Sequence, residues 1–448
     1  MNRLWLACLI LVVLITGMPA QSQSEGFFPY RYENVTLDNG LKVILIPMSG
    51  SGLVAYYTIV RTGSRDEVED GKTGFAHFFE HMMFRGTEKF PADVYNKIIN
   101  EMGADANAYT TDDYTCYTSV ISTPSLERMM ELESDRFMNL SYEEPEFRTE
   151  AGAVYGEYKK NLTNPWRVAY EEISGLAFSQ HTYKHTTMGF VEDIRRMPEL
   201  YQYSKDFFQQ HYRPENCVLL LAGDFDPETV KPMVETYYGP WETGHSENVV
   251  PTEPEQRREK VKKVTYNGRT LPLMWIGYKG AAFDPTDKDV VAASLLGDLA
   301  FGQNSDIYKK LVIRENKAQF VSGDFGFNRD PKLYDIYTMV YNEDDMDMVL
   351  AEIDQVVTQF QNEPVDAERL DNLKKRNRYG YLMALDTPGS VAGNLARIVA
   401  LTGGVEAVDQ YYETMDSLTP ADIQAAAKRF LQKNRRTIIK LTGSGGQS

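Results

Sequence analysis

The stretch GFAHFFEHMMFRGT, residues 74–87, decides how the rest of the chain is read. Within it His77 and His81 stand four apart. On an α-helix such positions lie one above the other, so both imidazoles can offer a nitrogen to one metal ion at about 2.0–2.1 Å. Glu80, one residue before the second histidine, points toward the same surface and is placed to handle the proton of an attacking water. The pattern H-x-x-E-H is that of a zinc hydrolase, the reverse of the commoner H-E-x-x-H. Histidine is scarce, six in 448 residues, which makes the pattern informative. The competing reading is a helix that happens to carry two surface or core histidines.

The same stretch returns later in the chain without its chemistry. With Gly86 set against Gly302, residues 74–86 fall on VVAASLLGDLAFG, residues 290–302, and His77, Glu80 and His81 correspond to Ala293, Leu296 and Gly297. DVYNK, residues 93–97, echoes DIYKK, residues 306–310, and FFQQHYRPENCVLLLAG, residues 207–223, echoes RFLQKNRRTIIKLTG, residues 429–443. Repetition of this length means duplication.

Each half alternates predicted strands with helices. The strands are LKVILIP (41–47), VAYYTIV (54–60), TCYTSVI (115–121) and CVLLLAG (217–223), then LPLMWIGY (271–278), FVSGDFGF (320–327), YDIYTMVY (334–341) and TIIKLTG (437–443). Several place Tyr, Val, Ile and Thr at alternate positions, which suits a sheet with one face under helices. The expected class is α+β: two duplicated domains of similar fold, each a mainly antiparallel sheet with helices packed on one side. The expected boundaries are a catalytic domain over 27–243, a polar, proline-bearing linker over 244–263, and an inactive repeat domain over 264–443.

A catalytic zinc needs a third protein ligand and one coordination position left for water. In YEEPEFRTEAGAVYGEYKKN, residues 142–161, Pro145 precedes good helix formers, and Glu150 and Glu157, seven apart, share a face. Alone, such a pair is an ordinary solvated helix surface. With H-x-x-E-H upstream, however, the chain resembles the pitrilysin/insulinase family, an inverzincin group that includes the mitochondrial processing peptidases and their bacterial relatives. Glu157 stands seventy-six positions past His81 and matches that family's third ligand, while Glu150 matches a glutamate seven residues before it. The resemblance implies one Zn2+ per chain held by His77, His81 and Glu157, with Glu80 as general base and Glu150 supporting a ligand from behind.

Other segments fit the same family. GADANAYTTDDYTCYTSVI, residues 103–121, resembles its G-x-x-x-N-A segment, and the backbone of Asn107, Ala108 and Tyr109 is implied as the edge to which a substrate peptide adds as a strand. For Asn107 a turn residue bonding its own backbone is the alternative. HYRPENCVLLLAGDFDPE, residues 211–228, resembles an architectural strand ending in a Gly-Asp turn. His181 and His185 are also four apart, but Thr182, Thr186, Thr187 and Gly189 around them read as a loop, so a shared face is not assured. The family's second domain carries an arginine and a tyrosine that contact the substrate carbonyl region; here RENKAQF supplies Arg314 but Phe320 in the tyrosine position. Phenylalanine cannot donate a hydrogen bond to a developing oxyanion. The resemblance thus points to a homodimer, or to a heterodimer with a paralogue bearing the Arg/Tyr pair.

Residues 1–20 read as a secretory leader, with Arg3, the apolar run Leu4 to Ile15, and Gly17 and Pro19 before Ala20. Twelve apolar residues are too few to span a bilayer, where about 20 are needed, so a cleaved signal peptide and a periplasmic or secreted location are expected, with no transmembrane segment in the mature chain; Met18, where a small residue is preferred for cleavage, leaves an uncleaved anchor as the alternative. Cys116 and Cys217 leave a bridge or two buried thiols open. A net charge of −17 with no basic tract argues against nucleic-acid binding. The function expected is a zinc endopeptidase acting on peptides or unfolded segments inside a chamber; the rival is a noncatalytic scaffold or peptide-binding subunit.

Overall fold

A computed structural model describes residues 26–445, so the expected leader lies outside the described residues. Strands β1 (Glu33–Thr36), β2 (Lys42–Pro47), β3 (Leu53–Val60), β4 (Asp105–Thr110), β5 (Thr115–Ser122) and β6 (Cys217–Gly223) form a first sheet in the order β1-β2-β6-β3-β5-β4. Strands β7 (Lys260–Tyr266), β8 (Leu273–Lys279), β9 (Ala318–Asp324), β10 (Leu333–Val340) and β11 (Arg436–Gly443) form a second, ordered β7-β11-β8-β10-β9. Neighbours are antiparallel except β2–β6 and β7–β11. The last five strands of the first order map one to one onto the second, parallel pair included. The duplication read from the sequence is therefore a duplication of topology.

Alternation along the strands assigns the two faces. In the first sheet Val43, Leu45, Val54, Tyr56, Leu219 and Leu221 pack under helices of the same half, including Phe78, Phe79 and Met82. The intervening Ile44, Ile46, Ala55, Ile59, Val218 and Leu220 pack against the second half, with Val391, Leu395 and Val399 of helix Pro388–Thr402. The second sheet returns the arrangement: Leu273, Ile439 and Leu441 lie against Ala169, Ile173 and Ala177 of helix Pro165–Ala177 from the first half. Each half thus covers one face of its own sheet and lends one helix to the other face of its twin. β6, CVLLLAG, lies inside its sheet and is buried at all seven positions, which explains its unbroken apolar run.

Period two also settles the cysteines. Cys116 belongs to one face of the first sheet and Cys217 to the other, with β3 between their strands, and both are buried free thiols. β7 starts at Lys260, four residues inside the stretch expected as linker. The remainder of that stretch is strapped to the body by polar bonds. Glu253 accepts the amides of Ser179, Gln180 and His181 at 2.9, 2.9 and 3.1 Å, and Gln256 Nε2 donates to the Arg436 carbonyl at 2.7 Å.

Candidate metal centre

Helix Phe75–Met82 is anchored by its apolar face: Phe75, Phe78, Phe79 and Met82 are fully buried, with Phe79 stacked 5.2 Å from Phe207 and Phe78 5.1 Å from Phe147. Phe147 belongs to helix Glu144–Asn161, which starts with a capping box in which the Glu143 amide donates to Glu146 at 2.9 Å, and has Pro145 in its first turn. Phe147, Ala151 and Val154 seat this helix in the core. The opposed surfaces of the two helices carry His77 and His81 on one side and Glu150 and Glu157 on the other.

One ligand atom from each of His77, His81 and Glu157 lies within 4.8 Å of the other two; this is the only such group of three or more among the described residues. Glu157 Oε2 is 3.8 Å from His77 Nε2 and 3.5 Å from His81 Nε2. A tetrahedral ion with bonds of about 2.0–2.1 Å has donor-to-donor edges of about 3.4 Å, so two imidazole nitrogens and one carboxylate at this spacing fit zinc. Behind the donors, His81 Nδ1 meets Glu150 Oε1 at 2.8 Å, and the other Glu150 oxygen takes Arg85. The buried Nδ1 of His77 has no hydrogen-bond partner among the described residues.

The electrostatics suit metal binding rather than proton binding. Burial, reinforced by the neighbouring His81, pushes His77 down to about 4, so its imidazole is neutral at physiological pH. Glu157 is held below the ordinary glutamate range, chiefly by its hydrogen bond to His81. Glu80 moves the other way: burial raises it, although Thr110 Oγ1 donates to its Oε2 at 2.6 Å. A carboxyl raised toward neutrality and fixed in direction is suited to taking and returning a proton.

Thr110 and Arg85 were not singled out from sequence. Arg85 had a findable signal, since it lies one turn beyond His81. Thr110 had none, because it reaches Glu80 from the end of β4, thirty residues on. Asn107, Ala108 and Tyr109 lie in this same outermost strand, with Ala108 buried and the other two exposed. Arg314 ends the π-helical turn Lys309–Arg314 and is exposed; it shares no hydrogen bond or ion pair with the histidine–glutamate group among the described residues. Phe320 lies on β9 with its ring 5.7 Å from Trp166. His181 and His185 do not form a second centre. His181 Nε2 contacts Asp330 at 2.9 Å while its Nδ1 accepts the Tyr183 amide at 3.0 Å, which ties the second half to the first; His185 Nδ1 donates to the Thr186 carbonyl.

Residues 46–190 match the family model described as Insulinase (Peptidase family M16), and residues 201–377 match that described as Peptidase M16 inactive domain. The chain is similar to the zinc protease PqqE of Helicobacter pylori, 26% identical over 440 residues covering 96% of each protein. It is also similar to the mitochondrial-processing peptidase subunit beta of Caenorhabditis elegans, 23% identical over 92% of this chain and 89% of that one. Among solved structures, a protease from Helicobacter pylori aligns with a TM-score of 0.85 at 25% identity, covering 92% of this chain and 99% of that one. The histidine–glutamate group falls inside the first matched segment and its stripped copy, residues 290–302, inside the second: the chain belongs to the pitrilysin/insulinase (M16) peptidase family.

Proposed function

We propose that this protein is a zinc-dependent endopeptidase, with His77, His81 and Glu157 holding one Zn2+ and Glu80 as general base. The observation that carries the reading is the convergence of three donor atoms beside a carboxyl that is half-buried, raised and held by Thr110. Zinc bound there supplies Lewis acidity and lowers the pKa of a water to about 7. Glu80 accepts the proton of the attacking water and delivers it to the leaving amine. Glu150 and Arg85 fix the ring of His81. The exposed outer edge of β4 is suited to pairing with an extended substrate segment, which brings Asn107 to Tyr109 alongside the scissile bond.

The substrates proposed are peptides or unfolded segments that enter an enclosed chamber. Arg314 is the candidate for contacting the substrate carbonyl region, and Phe320, six residues on, lacks the tyrosine hydroxyl expected there. The missing donor supports a two-chain arrangement in which a second copy or a paralogue supplies it. The leader supports an exported location. Among the described residues no single helix is long and apolar enough to cross a membrane. Retention of Glu80 and all three ligands weighs against a noncatalytic scaffold.

Replacing Glu80 by Gln and His77 by Ala tests the reading. E80Q is expected to keep zinc and lose about 10²–10⁴-fold in peptide turnover, whereas H77A loses both. An E80Q chain with most of the wild-type rate contradicts the assignment, and high activity of the lone wild-type chain on short peptides removes the need for a partner.

A further inference from the structure

We infer that Glu67 is a positioning residue: its buried carboxylate fixes the N-terminus of the helix carrying His77, Glu80 and His81, and thereby sets how the two imidazoles meet the metal. The inference rests on the zinc reading above and concerns a residue outside its ligand and base set.

The two copies of this helix begin differently. In the second half, helix Lys288–Phe301 is capped in the ordinary way by its own neighbour, Asp287, whose carboxylate accepts the amides of Asp289 and Val290 at 2.8 and 3.4 Å. In the repeat alignment that helix starts at the equivalent of position 72. The metal-binding helix starts three positions later, at Phe75, and runs for only eight residues. Its N-cap, Gly74, has φ 93° and no side chain with which to cap. None could be added, since a Cβ there would lie 2.5 Å from the Met188 carbonyl.

Two free amides at the start of this helix are met from outside. Glu67 Oε2 accepts the Gly74 amide at 2.8 Å and Oε1 accepts the Ala76 amide at 2.7 Å, and the side chain is completely buried. The carboxylate therefore grips the helix on both sides of Phe75, and Ala76 adjoins His77. The residue before the cap is clamped as well: Asp193 Oδ2 accepts the Thr73 amide at 3.2 Å and its hydroxyl at 2.7 Å. Two turns of helix have little cooperativity of their own, so loosening the first turn displaces His77. Burial pushes Glu67 up, to about 8, against the hydrogen bonds from the Ala76 and Gly74 amides, which favour its ionised form. An amide side chain could not replace it, because its NH2 is a donor and cannot accept the second backbone N–H.

The test is Glu67→Gln in the full chain, which leaves one acceptor and turns a donor toward the second amide. Zinc affinity, measured by competition with a chelating dye, is expected to fall about 10–100-fold, and the visible spectrum of the cobalt-loaded chain to shift. The amides of Gly74 and Ala76 are expected to exchange faster in the metal-free variant. Wild-type zinc affinity, cobalt spectrum and exchange in E67Q would overturn the inference. Should E67Q fail to fold, the wild-type metal-free chain decides: Gly74 and Ala76 amides protected like those of β3 support the anchor, and rapid exchange there refutes it. A wild type that binds no zinc defeats the metal reading instead, and the exchange arm still reports on Glu67.

Discussion

Helix Phe75–Met82 and its twin Lys288–Phe301 occupy the same place in two copies of one fold and have opposite duties. The first is short, capped from a distance, and turns His77, Glu80 and His81 toward a cleft where each but His77 has a polar partner behind it. The second is fourteen residues long, capped locally, and ten of them are buried. Ala293 and Leu296 are wholly inside, and Gly297 backs onto Gly323 of β9, where a Cβ would lie 3.3 Å from the Gly323 carbonyl. The difference teaches that the twin cannot host such a centre: the space between the donor side chains of one half is filled by packed strand and side chain in the other. It also shows what the histidine-bearing helix gives up, namely length and a local cap.

Exchanging residues between the twins should break this comparison most severely in the second half. Leu296→Glu buries a carboxylate among apolar neighbours and is expected to cost more than about 4 kcal/mol, read as a collapse of the urea midpoint. The reverse exchange, Glu80→Leu, is expected to leave the midpoint within about 1 kcal/mol while abolishing turnover, because it removes a group that burial already disfavours. A smaller effect is expected from Glu150→Gln, which leaves Arg85 and His81 without their shared anion; zinc should bind about 10–100-fold more weakly with the fold intact. Unchanged affinity would remove Glu150 from the centre.

The remaining expected effect is confined to acid. All six histidines lie at or before residue 245, so the twins differ in their response to pH. Burial and the neighbouring His245 push His211 down to about 3, below its unfolded value of about 6.5. The folded state thus resists its protonation. The contribution is complete above about 6.5 and is lost as pH falls toward 3, by up to about 1.4 kcal/mol per unit. His211→Gln is expected to flatten that part of the stability–pH curve; a slope that stays the same would place the acid sensitivity elsewhere.

The histidine–glutamate group was legible because it is concentrated: two histidines and a glutamate within one and a half turns, and two glutamates on one later helix. What depended on long-range closure was not. Thr110 reaches Glu80, and Glu67 reaches Gly74 and Ala76, through folds that no local pattern announces. β7, KVKKVTY, was hidden because it is an outer strand whose exposed Lys262 and Lys263 give it the polarity of a linker. The exchange of helices Pro165–Ala177 and Pro388–Thr402 was also invisible, since an apolar helix face does not say which of two similar sheets it will cover. The cysteine question, by contrast, was answered by strand parity once register was known.

The central claim is that one divalent ion is held by three named side chains. Metal content of the full chain, equilibrated with zinc and then freed of excess, tests it directly, in the wild type and in Glu157→Ala. The account predicts one zinc per wild-type chain and its loss, or a drop of several orders of magnitude in affinity, in the variant. A wild-type chain without zinc, or a variant that holds it equally well, would contradict the account.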